Sequence, residues 1–253
     1  MALNVYADDC GVTSPKWSRA FAIGCGGRVV HGGPFDPSQP FAFWGSPKLW
    51  GYFIEALERV PAWYYGDKGF FGRGQYFRCA RNAMQFDGAS GDDDPRRFRR
   101  FNIPIKDWRA SGSHILICPN SEVFFGLHGF ARGEWIARTV EMLRRYTDRP
   151  LRVRWKADAV KRPLEHDLKG CWAVVTFVSN AAVFAALAGV PVFCTGPCAG
   201  LTMGSNDLTA IERPVFPQVR EAWAARLANN QWTLDEMRRG LLWQSIGEQC
   251  RSN

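Results

Sequence analysis

Residues 171–194, CWAVVTFVSNAAVFAALAGVPVFC, pass from one apolar stretch through a short polar turn and an alanine-rich segment into a second apolar stretch, with almost no spacer. Residues 172–178 are β-rich and continuously apolar, as in a parallel strand covered on both faces. Ser179 and Asn180 supply an N-cap, residues 181–188 a helix and Gly189 its end, and Pro191 opens a strand over 192–194. This is half of a nucleotide-binding α/β unit. A helix that starts at the carboxyl end of a parallel strand turns its free N–H groups and positive dipole end toward the crevice where such sheets bind ligands. A diphosphate fits there, although the same pattern recurs in α/β proteins that bind no phosphate.

Outward from this unit the chain keeps alternating. Residues 3–7 read as a first strand and 15–23 as a helix with Trp17 and Phe21 on one face. Gly24, Gly26 and Gly27 read as its C-cap and turn in preference to a phosphate cradle. A strand over 41–44, an amphipathic helix over 49–60 and a strand over 62–65 make the amino-terminal half a Rossmann-type layer. Residues 113–118, SHILIC, form another buried strand, followed by a glycine-rich stretch in which His128 reads as a turn residue. The passage between two domains is placed there, with a boundary near residue 125 and a cleft beside it. Residues 134–146 form a helix, and 151–156 a strand that leaves Arg154 and Lys156 near its carboxyl end, facing the crevice of Ser179. Residues 219–228 are helical, and the capping box Thr-Leu-Asp-Glu at 233–236 opens a last helix to about residue 246.

Between these elements lie two distinctive loops. Residues 63–85, WYYGDKGFFGRGQYFRCARNAMQ, gather aromatics, glycines and arginines around one acid at a strand's carboxyl end. Asp67 is placed to act as a general base, with Glu55, Asp87 and Glu122 as alternatives. Tyr65, Lys68, Arg73, Arg78 and Arg81 are candidates for acceptor or phosphate binding, beside the plainer reading of a solvated turn with surface arginines. Residues 88–100, GASGDDDPRRFRR, read as an exposed loop whose arginines would suit a nucleic-acid backbone or simply face water.

The 253 residues, 46% of them apolar, can build real cores, and a net charge of +8 favours an anionic partner. The eight cysteines form no CxxC pair and several lie in apolar runs, which points to buried thiols and away from a disulfide framework or a zinc site. No run reaches the ~20 apolar residues of a membrane span, and the amino terminus lacks a signal pattern, so a cytoplasmic location is expected.

The cationic strand end, VVTFVSNAAVFAALAGVPVF and the terminal helices together resemble the carboxyl-terminal domain of GT-B-fold glycosyltransferases, over roughly residues 150–215. The wider pattern, with WYYGD, YFRCARNA, ILICPNSE and QWTLDEMR, is similar to phage and prophage proteins of glycosyltransferase-like type. The resemblance implies two Rossmann-type domains with parallel sheets facing a central cleft. Residues 1–125 would hold the acceptor and 126–253 the nucleotide-sugar donor, with the last helix packing back on the first domain. It implies that Thr176, Ser179 and Asn180 bind the donor diphosphate, expected to be UDP-linked, while Arg154 and Lys156 neutralise it without a metal. Phe184 stands where many members carry a glutamate for the donor ribose. Asp67 would deprotonate the acceptor. The implied acceptor is a hydroxymethylated pyrimidine of phage DNA, flipped from the stack in the bacterial cytoplasm. A surface glycan or small molecule is the alternative, as is a non-catalytic relative that only binds nucleotide or nucleic acid.

Overall fold

The computed structural model describes residues 2–7, 13–31, 36, 38–45, 57–126, 128–155, 157–158 and 162–249. Lys156, Glu55, Cys10, Cys250 and most of the helix expected over 49–60 lie outside them. The chain divides into two compact units, Met1–Phe86 with Leu227–Asn253, and Asp87–Arg226. Residue 125 therefore lies inside the second unit. The strand expected to close the first domain belongs to the second sheet, and the change of composition at 88–100 is where the chain first passes from one unit to the other.

In chain order the first unit begins with β1 (Asn4–Ala7), α1 (Thr13–Cys25), β2 (Arg28–His31), β3 (Phe41–Trp44), β4 (Trp63–Lys68) and β5 (Tyr76–Arg81). The second contains β6 (His114–Cys118), α2 (Arg132–Arg144), β7 (Leu151–Val153), β8 (Cys171–Thr176), α3 (Ala181–Leu187) and β9 (Val192–Cys194). Then follow α4 (Arg220–Asn229), within which the second division falls, β10 (Trp232–Thr233), α5 (Leu234–Arg238) and α6 (Leu241–Gln249).

The first sheet runs β10-β5-β4-β3-β1-β2, with β2, β1, β3 and β4 parallel, β5 antiparallel to β4, and β10 antiparallel to β5. Trp17 and Phe21 of α1 stack at 4.9 Å and 9° in a core that also takes in Tyr64, Phe77, Trp232, Met237, Leu242 and Ile246. Gly66 of β4 lies under the Trp17 ring, where an added Cβ would come within 2.3 Å of it. The single helix expected over 233–246 is broken by Gly240 at φ +82°. The Thr233 capping box forms as expected: Thr233 accepts from the Glu236 N–H and the Glu236 carboxylate accepts from the Thr233 N–H.

The second sheet is wholly parallel among the described strands, in the order β7-β6-β8-β9. All six residues of β8 are buried, as its unbroken apolar run requires. Burial pushes the Cys118 and Cys171 thiols up to about 12, which keeps them neutral packing groups. Gly189 ends α3 at φ +76°, and a Cβ there would meet the Asp107 carbonyl oxygen at 1.9 Å. The Arg220 guanidinium closes the same end, donating to the Ala186 carbonyl at 3.0 Å and to the Lys106 carbonyl at 2.6 Å.

Candidate functional site

The carboxyl edge of the second sheet is stitched from three strand ends. Thr176 Oγ1 donates to the Cys118 carbonyl at 2.6 Å and accepts from the Ser179 N–H at 3.3 Å. Asn120, just beyond β6, accepts from the Val178 N–H at 3.1 Å. Beyond β9, the Thr195 and Gly196 N–H groups donate to the carbonyls of Thr176 and Phe177 at 3.0 and 3.1 Å. Gly196 admits no side chain, since a Cβ would stand 2.5 Å from the Phe177 ring. Thr176 is fully buried, so its place is beneath the edge, where it fixes the turn.

Ser179 and Asn180 sit on that turn and are half-buried. Ser179 Oγ accepts from the Ala181 N–H at 3.2 Å, and the Ala182 and Val183 N–H groups donate to the Ser179 and Asn180 carbonyls. The opening N–H groups of α3 are thus largely occupied within the turn. Asn180 makes no capping hydrogen bond, and its buried Oδ1 has no hydrogen-bond partner. Phe177 lies at the centre of an aromatic group, stacked on buried Phe125 at 5.4 Å and met edge-on by His128 at 4.8 Å and Phe130 at 5.3 Å. Burial lowers the His128 pKa.

Arg154 is buried, and its guanidinium is not brought to the Ser179 turn. It pairs with Asp167 and donates to the Arg162 carbonyl at 2.7 Å, residues that lead into the amino end of β8. Asp167 also binds Arg162 at 2.6 Å. Phe184 stands half-buried on α3. The residues that sequence reasoning missed at this edge are Asn120 and His128. Asn120 in the Pro-Asn-Ser-Glu stretch after a buried strand was the available signal for the first, while His128 gains its setting from ring contacts distant in sequence.

In the first unit, Asp67 and Lys68 belong to β4 itself, and β5 carries Arg78 and Arg81, two of the three arginines that read as loop residues, while Arg73 precedes it. Antiparallel register sets Arg78 directly opposite Asp67, whose Oδ2 accepts from Arg78 Nη2 at 2.7 Å while Oδ1 accepts from the Lys68 N–H at 2.7 Å. The Arg78 side chain is 5% exposed against 34% for Asp67, and Arg78 lies over the Phe70 ring at 4.5 Å. Tyr65 is buried beside the pair, and burial raises the pKa of its phenol. Lys68, Arg73 and Arg81 are exposed.

Among the described residues, no group of three or more His, Cys, Asp and Glu side chains is placed to hold a metal ion, and no helix is long and apolar enough to cross a membrane. No protein-family model matches the chain. No curated protein matches its sequence. Two solved structures are similar to it at the level of the fold. One, Thermosulfurimonas dismutans KpsC, beta Kdo 2,7 transferase, has a TM-score of 0.54 and 13% sequence identity, and the likeness covers 96% of this chain and 99% of that one. The other, the beta Kdo 2,4 transferase of the same organism's KpsC, has a TM-score of 0.51 and 13% identity over 89% and 90% of the two chains. The chain therefore shares the α/β fold, with parallel sheets, of glycosyltransferases of the GT-B type.

Proposed function

We propose that the chain is a glycosyltransferase that moves a sugar from a nucleotide-sugar donor to a hydroxyl acceptor. The observation that carries this reading is the likeness to two Kdo transferases along nearly the whole chain. The Ser179–Asn180 turn at the carboxyl end of β8 supports a donor site in the second unit, with Ser179, Asn180 and the sheet edge fixed by Thr176 around the nucleotide. Asp67 is the proposed base. The acceptor oxygen attacks the anomeric carbon as its proton passes to Asp67, and the bond from that carbon to the donor phosphate breaks, releasing the nucleotide.

A glycan hydroxyl is the acceptor this reading favours. Both similar structures bear the name of a Kdo transferase, which supports a carbohydrate acceptor or donor over a DNA base. Two of the four arginines expected to track a DNA backbone are ion-paired: Arg96 with Asp94, and Arg99 with Glu221 at 3.0 Å. The test is to incubate the protein with a panel of nucleotide sugars and either oligosaccharide acceptors or hydroxymethylpyrimidine DNA, then weigh the products. A glycan heavier by one sugar supports the reading. A DNA nucleoside heavier by one sugar would move the acceptor back to DNA, and neither product nor released nucleotide with any donor would refute transfer.

A further inference from the structure

Two buried polar atoms without a hydrogen-bond partner stand near the carboxyl edge of the second sheet: Asn180 Oδ1, just past β8, and Nε2 of His128, whose ring meets Phe177 at 4.8 Å. Buried polar atoms in folded chains are nearly always paired, because each unpaired one weakens the fold. Neither atom has an evident structural duty. Asn180 caps nothing with its side chain, and the His128 ring, whose backbone N–H donates to the Phe125 carbonyl at 2.9 Å, meets the rings of Phe124 at 5.4 Å and Phe130 at 6.5 Å besides Phe177. Its lowered pKa leaves the imidazole uncharged at neutral pH, able to give or take one hydrogen bond at Nε2.

The chemistry of the surroundings narrows the ligand. Phosphate would call for a cation, and Arg154 is committed to Asp167. Among the described residues the edge here presents an aromatic wall with isolated neutral polar atoms, the lining expected of a site for a neutral ring bearing hydroxyls: C–H groups against the rings, O–H groups to the polar atoms. We propose that His128 Nε2 and Asn180 Oδ1 bind hydroxyl groups on a sugar ring of the nucleotide-sugar donor, against a wall of Phe124, Phe130 and Phe177. The proposal rests on the glycosyl-transfer reading. The hydroxyls belong either to the nucleotide's ribose or to the sugar being transferred.

The experiment uses the full chain and its His128→Phe and Asn180→Ala variants. Each is titrated with UDP, GDP, ADP, dTDP and CMP, alone and as sugar conjugates, and each is melted without ligand. Both variants should bind about three- to tenfold more weakly, one hydrogen bond each, and melt at or above the wild-type temperature because an unpaired buried atom is gone. Weakening toward nucleotide and conjugate alike assigns the ribose, and weakening toward the conjugate alone assigns the transferred sugar. Unchanged affinity for a probe that the wild type binds overturns the proposal and leaves the transfer reading standing. A lower melting temperature in both variants also overturns it, by giving the two atoms a structural role. A wild type that binds none of the probes refutes the transfer reading itself, and this proposal with it.

Discussion

Asp67 has to reconcile two tasks, as counter-charge to a buried arginine and as the proposed base. Its two accepted hydrogen bonds occupy about half of a carboxylate's lone-pair directions, and its partial exposure leaves the others open to an acceptor. Asp67→Asn keeps the shape and removes the basicity. Turnover should fall about 100-fold or more, with nucleotide-sugar affinity within about twofold of wild type. A parallel loss of donor affinity would mark Asp67 as structural. Stability should fall by about 1–3 kcal/mol in a urea titration, because Arg78 keeps its buried charge without a full counter-charge and Asp67 is partly solvated.

His114 and His128 supply a pH signature at the same scale. Burial lowers both pKa values below the unfolded value of about 6.5, so the unfolded chain binds protons first as the pH falls. Stability should be full above about pH 6.5 and decline below it, and His128→Phe should flatten that slope in urea midpoints taken across the range. Asp67 and Ser179 stood out in the sequence because each ends or follows a recognisable strand. The partners Asp67–Arg78 and Arg154–Asp167 did not, since the first depends on strand register and the second on a packed segment the pattern does not specify.

At the scale of the element, Gly189 shows why the turn from helix to strand demands its residue. It needs a left-handed backbone and a missing Cβ at once, because Asp107 O occupies the space and the Arg109 N–H donates to the Gly189 carbonyl at 2.8 Å. Gly189→Ala should destabilise the second unit by about 2–4 kcal/mol, read as a lower urea midpoint, with the spectroscopic signature of the remaining fold unchanged below the transition. The β8-α3-β9 unit was legible nearly to the residue because burial on both faces writes an unbroken apolar run. β5 was hidden for the opposite reason: Arg78 takes a buried position between Phe77 and Cys79, interrupting the apolar run that would have announced a strand covered on both faces. The short β2 offers only the half-buried pair Val29 and Val30 between exposed ends, too brief an apolar run to announce a strand.

For the whole molecule, the division at Phe86 makes a sharp prediction about fragments. Residues 87–226 should unfold cooperatively on their own, whereas residues 1–125 should not, since they carry the fully buried β6 without its partners β7 and β8 and lack Trp232, Met237 and Leu242. Circular dichroism melts of the two fragments would check both halves of the statement. A sequence pattern marks strands and helices but is silent on which sheet a strand joins, so the expected boundary near 125 and the observed division differ even where an individual element such as β6 was expected correctly. The return of the chain to its first unit also sets an order in time. Gln231 holds Phe71 by two hydrogen bonds, at 3.0 Å and 3.1 Å, and Trp232 adds the sheet's last strand. Ribosomal synthesis usually lets the leading part of a chain fold first. Here residues 4–81 must wait for residues 231–246, with the segment between them already able to fold, so translation that stalls before residue 231 leaves that earlier segment with an open sheet edge and an uncovered aromatic core, ready for chaperones to hold.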